Sequence, residues 1–299
     1  MTTQEIKHYS TLQIWVMASR PKTLLAAFVP VFVGAALAYS EGKFFFLGSL
    51  IALLCALLIQ VGTNFTNDLY DHLKGADTKE RKGPTRVLNA GLVSVGTMRR
   101  AIAITFGLSF VLGLLLVYLN GPIILLIGVL SILAGLAYTA GPFPLAYNGL
   151  GDVFVFLFFG VVATVGTYYV NTGTTTTAAF LAAVPVGALI TNILVVNNYR
   201  DVEQDKKAGK NTLAVIFGRT FAYYQYVLLL ISSYVIPILL YHSFEKKVWI
   251  FLPILSIPIA LKLLVALKRN EGSELNKSLE LTAKLSAIYG VLFSIGLAL

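Results

Sequence analysis

Residues 44–71 read FFFLGSLIALLCALLIQVGTNFTNDLYD, with no Asp, Glu, Lys or Arg before residue 68. An apolar run of about 18 residues or more reads as a membrane-spanning helix. This one closes on Asn64-Phe65-Thr66-Asn67-Asp68-Leu69-Tyr70-Asp71. Positions 64, 67, 68 and 71 are three, four and seven apart, so on a helix they share one face. The span therefore delivers an uninterrupted polar stripe to one membrane surface. Polar groups at such a position are costly and default to a functional role.

The rest of the chain repeats the pattern. Its 299 residues are 57% hydrophobic and 12% charged, with a mean hydropathy of +0.78, whereas a soluble domain carries roughly a quarter charged residues. About nine spans are readable, near 23–40, 44–67, 99–119, 122–140, 151–170, 178–198, 220–241, 248–267 and 281–299. Turn-forming punctuation separates them, such as Asn120-Gly121-Pro122, Gly141-Pro142 and Asn171-Thr172-Gly173. Several spans carry small residues (Gly34, Gly113, Gly160, Gly187) that let helices approach closely in lipid. The expected fold class is an all-α integral membrane bundle of about nine helices, one domain over residues 1–299. In that reading 1–22 is a polar N-terminal segment with no cleavable signal peptide, and 72–98 and 199–219 are the active-site loops. Cys55 lies in an apolar run and reads as a core thiol. His8, His72 and His242 are scattered, which leaves a histidine-based metal site without support.

Charge gives the orientation. Alternating the connections puts 20 of the 23 Lys and Arg on one side, leaving Lys43, Lys246 and Lys247 on the other. The positive-inside rule makes the rich side cytoplasmic, with the N-terminus inside and the C-terminus outside. It also accounts for the net charge of +9 without any nucleic acid. All six aspartates, Asp68, Asp71, Asp77, Asp152, Asp201 and Asp205, fall at or near that same face.

The sixth span ends in a second polar cluster, Asn197-Asn198-Tyr199-Arg200-Asp201-Val202-Glu203-Gln204-Asp205. Both clusters contain Asn-x-x-x-Asp (Asn67/Asp71 and Asn197/Asp201), which suggests an internal repeat. Both lead into basic segments: Lys74, Lys79, Arg81, Lys82 and Arg86 after the first, Lys206, Lys207 and Lys210 after the second. Carboxylates crowded on one helix face require a cation. Magnesium takes one or two carboxylates together with phosphate oxygens and water, and Lys and Arg neutralise the remaining phosphate charge. Two such clusters meeting across a bundle would hold two magnesium ions and a diphosphate. The plainer alternative is that the acids cap helix ends and pair with loop cations. A secondary transporter remains a competitor, although its ion sites normally lie near the bilayer midplane on broken helices.

At these residues the chain resembles the UbiA superfamily of intramembrane aromatic prenyltransferases, whose first motif is Asn-Asp-x-x-Asp-x-x-x-Asp. Asn67-Asp68-Leu69-Tyr70-Asp71 matches, but the final acid is replaced by Gly75, and the next acid is Asp77. The stretch from Gly75 to Arg86 resembles the signature of 1,4-dihydroxy-2-naphthoate polyprenyltransferases, the menaquinone-pathway branch. So do Ala18-Ser19-Arg20-Pro21-Lys22-Thr23, Gly149-Leu150-Gly151-Asp152, and Asn197 to Asp201 with Gly209-Lys210-Asn211-Thr212-Leu213. These motifs occupy the first 220 residues or so, and the last three spans agree only in being apolar.

The resemblance implies magnesium-dependent transfer of a polyprenyl group from its diphosphate to dihydroxynaphthoate, with loss of carbon dioxide and diphosphate, giving demethylmenaquinol. Other superfamily acceptors would be 4-hydroxybenzoate or haem B. Carried over by position, Asp68 and Asp71 with Asn64 or Asn67 hold one magnesium, and Asp201 and Asp205 the other. Arg81, Arg86, Arg200 and Lys210 are diphosphate candidates. Arg20 and Lys22 are placed to meet the acceptor or the phosphates, with Asp77, Tyr138 and Tyr147 as further acceptor candidates. Asp152 is a candidate for orienting the acceptor hydroxyl or for proton transfer, although an acid at a helix N-terminus needs no such role. The implied partners are the two substrates and the lipid bilayer, with no obligatory protein.

Overall fold

The computed structural model describes residues 9–76, 86–244 and 247–299. Asp77 and Arg81, two of the residues singled out above, lie outside them. The described residues form helices and turns with no strand. A short helix α1 (Thr11–Ser19) is opened by a capping box in which the Ser10 hydroxyl accepts from the Gln13 amide and Gln13 Oε1 accepts from the Ser10 amide. It ends at Arg20, whose backbone is left-handed at φ 52°, and α2 (Pro21–Ser40) starts one residue later with proline in its first turn.

Then follow α3 (Phe46–Leu73), α4 (Val95–Asn120), α5 (Ile123–Ala137), α6 (Gly151–Val155), α7 (Ala163–Thr172), α8 (Thr177–Lys207), α9 (Leu213–Ser243), α10 (Ile257–Arg269) and α11 (Leu275–Ala298). A π-helical stretch, Phe156–Val162, fuses α6 and α7 into one span, and a 3₁₀ stretch, Val248–Ser256, extends α10 in the same way. Eight of these elements are long and apolar enough to cross a membrane, as in a multi-pass membrane protein.

Two of the expected segments differ from the sequence reading. The fifth helix, α5, has only 15 residues, about 22 Å against a hydrocarbon core of about 30 Å. Its chain leaves helical form early, and residues 138–150 fold back against the ends of α3 and α8. The second is the segment 199–219, expected as a loop. It is mostly helix: α8 runs to Lys207 and α9 begins at Leu213 after a turn of five residues, with a non-helical break at Gly218 (φ 84°) before its long run. At 28 and 31 residues, α3 and α8 measure about 42 and 46 Å. They overshoot the bilayer, and the overshoot carries the aspartates.

Helix α8 lies at the centre of the bundle, with Ala178, Ala179, Ala182 and Ala183 fully covered on one stripe. The π-helical stretch crosses it so closely that a Cβ on Gly160 would lie 2.6 Å from the Gly187 Cα. Only glycine fits there, and this backbone contact packs two spans without any hydrophobic drive between them. Helices α4 and α5 turn Leu108, Val111, Leu115, Leu126, Leu130 and Leu133 outward. Exposed leucine and valine in that density suit lipid rather than water.

Candidate active site

The two acidic helix ends are built alike. After α3, Gly75 adopts φ 68°, its N–H bonds to His72 O at 3.0 Å, and Ala76 N–H bonds back to Asp71 O at 2.9 Å. After α8, Gly209 adopts φ 70°, its N–H bonds to Lys206 O at 3.2 Å, and Lys210 N–H bonds back to Asp205 O at 2.8 Å. Both are Schellman terminators, which place a left-handed glycine just past the helix. The glycine at position 75, where the superfamily motif has its last acid, is therefore the residue that stops the helix.

These terminators aim the side chains. Asp71, 2% exposed, is ringed by donors. Arg86 Nη2 reaches its Oδ2 at 2.8 Å, while the Tyr147 hydroxyl donates to Oδ1 at 2.8 Å and Lys210 Nζ lies 3.1 Å from the same oxygen. Lys74 and Lys210 both sit over the Tyr147 ring, at 4.4 and 4.8 Å from its centroid, and Lys74 also donates to the Thr139 carbonyl at 2.8 Å. Burial draws the Lys74 ammonium below the usual lysine range; Asp71 opposes that shift and Lys210 adds to it. Asp205 feels the charges of Lys210, Asp201 and Asp71, so the two helix ends face each other with Lys210 between them. Tyr147 serves this charge network and does not present a free ring to an acceptor.

The structure redistributes several other candidates. Asp68 Oδ2 accepts from the Val87 amide at 3.2 Å, and the residue does not line the cavity described below. Asn67 accepts from Thr139 at 2.9 Å, and Asn64 donates to Ser19 O and Thr23 Oγ1. Asn64 thereby pins the left-handed bend that carries Arg20, and Arg20 lines the cavity. Lys22 points the opposite way, pairing at the surface with Glu280 at 2.9 Å, and does not line the cavity. Arg200, 1% exposed, is also no diphosphate ligand as it stands. It bonds Asp201 with Nε and Nη2 (2.7 and 2.5 Å), Asn197 at 2.9 Å and Asn276 of α11 at 2.6 Å. Asp152 lies in the first turn of α6, 4% exposed, with Gln225 near its carboxylate and Tyr138 beside it. Sequence reasoning missed Thr139, Gln225 and Asn276, which lie in unremarkable contexts far along the chain.

A cavity of about 430 Å³ connects this charged mouth to the membrane interior. Its polar end holds Arg20, Asp71, Arg86, Asp152, Asp205 and Lys210; its far end reaches Leu116, Val117, Ile124 and Val170. The walls between are mostly apolar, with a pair of small residues, Gly128 and Gly135, along α5. A side pocket of about 60 Å³ at the mouth is lined by Asn197, Asp201, Gln204 and Asp205 together with Arg86 and Lys210. Among the described residues no three Asp, Glu, His or Cys side chains converge as a metal cage. Oxygen donors in ones and twos beside cations nevertheless suit a magnesium ion that shares its shell with phosphate, since magnesium rarely uses an all-protein cage.

The sequence profile of the UbiA prenyltransferase family matches residues 27–288. The chain belongs to this family. It is a prenyltransferase, and the transporter alternative falls with that membership. One UbiA relative, the 1,4-dihydroxy-2-naphthoate octaprenyltransferase of Escherichia coli (strain K12), is 36% identical over 100% of this chain and 98% of its own length. The protein of the same description from Bacillus subtilis (strain 168) is 31% identical, covering 95% of this chain and 92% of its own. Among solved structures, the apo UbiA homolog from Aeropyrum pernix K1 superposes with a TM-score of 0.71 at 14% identity, over 90% of this chain and 97% of that one. The UbiA homolog from Archaeoglobus fulgidus bound to GPP and Mg2+ gives 0.63 at 17%, over 94% and 99%. These two likenesses establish the UbiA fold.

Proposed function

We propose that this chain transfers a polyprenyl group from polyprenyl diphosphate to 1,4-dihydroxy-2-naphthoate, releasing diphosphate and carbon dioxide and giving demethylmenaquinol. The observation that carries the reading is the continuity of a charged mouth with an apolar cavity inside the bundle. A prenyl diphosphate has that same division between head and tail. The relatives described as naphthoate prenyltransferases support the choice of acceptor.

Asp71, Asp201 and Asp205, with the amide oxygens of Asn67 and Asn197, would hold magnesium, two ions in this reading. Asp68 and Asn64 would act behind them. Bound magnesium would supply Lewis-acid stabilisation of the leaving diphosphate. The chain's own part is positioning and charge. Arg86 and Lys210, at present spent on Asp71, would be free to bind phosphate oxygens once Asp71 serves as a metal ligand. The C–O bond breaks with its electron pair on the diphosphate. The mostly apolar cavity wall shields the allylic cation from water, and an electron-rich ring carbon of the acceptor takes it up. Arg20 faces the acceptor carboxylate, while Asp152 with Tyr138 orients a ring hydroxyl and receives its proton. The carboxylate leaves as carbon dioxide, its C–C bonding pair restoring the aromatic ring, and Asp152 returns the proton to the ring oxygen to give the quinol. The acidic mouth faces the cytoplasm, following the distribution of Lys and Arg.

Membranes holding the protein, supplied with dihydroxynaphthoate, a polyprenyl diphosphate and magnesium, will yield prenylated naphthoquinone detectable by mass spectrometry. EDTA and Asp71→Ala will each abolish it. Product from 4-hydroxybenzoate in place of the naphthoate would keep the transferase and overturn the acceptor.

A further inference from the structure

Polar side chains inside the membrane normally find a partner, because nothing in the hydrocarbon can supply one. Around the cavity this holds almost everywhere. Thr63, Ser109, Ser131 and Thr167 donate to the carbonyls of Ile59, Cys55, Ile127 and Ala163 at 2.8 to 3.3 Å. Asp152 Oδ1 and Asn198, both at the charged end, are exceptions. Gln60 is the exception within the apolar part. It lies in the middle of the apolar run of α3, is 8% exposed, lines the cavity, and makes no hydrogen bond among the described residues. The amide opens onto the cavity, so a ligand that enters and satisfies it gains a hydrogen bond the folded chain does not supply.

Its position narrows the ligand. Gln60, Asn64, Asn67 and Asp71 follow one another at helical spacing on the cavity side of α3. Eleven residues separate Gln60 from Asp71, about 16 Å along the axis. That depth passes beyond a magnesium-bound diphosphate, whose oxygens lie within about 4 Å of a carboxylate sharing its metal. The prenyl tail carries no polar atom beyond its head. Of the two substrates, only the acceptor carries oxygen away from the diphosphate head, and the uncharged amide can both donate to and accept from a ring hydroxyl.

We infer that Gln60 is a specificity-determining residue that hydrogen-bonds a ring hydroxyl of the aromatic acceptor; the inference rests on the function proposed above. Gln60→Met keeps the volume and suits the surrounding lipid-like wall. In membranes or detergent it will raise KM for dihydroxynaphthoate about tenfold and leave KM for the prenyl diphosphate within about twofold. Two naphthoates, each lacking one of the two ring hydroxyls, serve as competitive inhibitors. One of them will bind wild type and Gln60→Met equally, because the hydroxyl and its partner are removed together in a cycle. Gln60→Asn, a shorter amide, will recover part of the lost affinity. Naphthoate turnover indifferent to Gln60→Met, equal movement of both KM values, or both inhibitors paying the full tenfold penalty would overturn this inference alone. A wild-type protein with no naphthoate turnover overturns it together with the proposed function.

Discussion

The two acidic helix ends look like copies in sequence but are wired differently. Matching Asn67/Asp71 with Asn197/Asp201 gives the alignment read from the letters. The helix terminators give another. Counting back from Gly75 and Gly209, the residues whose carbonyls close the two Schellman turns are Asp71 and Asp205. In that frame Asp71 corresponds to Asp205, Asn67 to Asp201, and Asn64 to Asn198. Countercharge separates them further. Asp71 is neutralised by Arg86, Lys210 and Tyr147, which arrive from three other segments. Asp201 is neutralised by its own neighbour Arg200, which is buried and tied to α11 through Asn276. The cations on Asp71 line the cavity and can be surrendered to a substrate. The cation on Asp201 is committed to the fold. Two similar motifs thus divide the work between an exchangeable charge cluster and a fixed one.

The strongest test of this division is loss of the paired acids. Asp71→Asn and Asp205→Asn will each reduce kcat/KM on the order of 10³-fold, a size typical of removing one preorganised charge at a reacting centre. Steady-state assays on both variants measure it. If Asp205→Asn stays near wild type while Asp71→Asn is dead, the terminator-based correspondence fails and the letter-based one returns.

Next in size is the contrast between the two arginines. Arg200→Met strands Asp201, Asn197 and Asn276 without their donor in a buried setting and will cost about 3 kcal/mol of stability. Thermal unfolding in detergent reports it as a lower midpoint. Arg86→Gln will change that midpoint little and raise KM for the prenyl diphosphate instead. An Arg200→Met protein with full stability but weak donor binding would make Arg200 a substrate ligand, as the sequence first suggested.

Why the letters misled at Arg200 is physical. Residues at i and i+1 on a helix do not face each other, so nothing in Arg200-Asp201 announces a pair. The long arginine side chain folds back across the helix because Asn276 draws it there, and that residue is 76 positions away. Lys22 illustrates the same limit. It follows Arg20 by two residues, yet the left-handed turn at Arg20 sends one cation inward and the other to Glu280. What was legible rested on local periodicity: the apolar runs, the polar stripe on α3, the acid opening α6. The early end of α5 was not: the sequence reads as a span up to Gly141-Pro142, and the helix stops three residues sooner, where Thr139 and Tyr147 turn back to Asn67 and Asp71.

Asp68 carries the smallest expected effect and the sharpest separation between letter and structure. In the motif it stands beside Asn67 and three residues before Asp71, which makes it a metal candidate. In the structure its Oδ2 accepts the Val87 amide, and Val87 and Leu88 are buried against α1, α3 and α4. Asp68 therefore fastens the chain just after Arg86, holding that guanidinium within reach of Asp71. An asparagine oxygen accepts the same backbone hydrogen bond. Asp68→Asn will accordingly keep kcat within about threefold of wild type, the loss of a fraction of one hydrogen bond. Asp68→Ala will raise hydrogen exchange at residues 86–90 and weaken donor binding through Arg86. A metal ligand predicts the opposite pattern, in which Asn and Ala are equally damaging and extra magnesium restores part of the rate. Measuring both variants across a magnesium titration decides whether the second acid of the motif binds the ion or holds the loop that meets it.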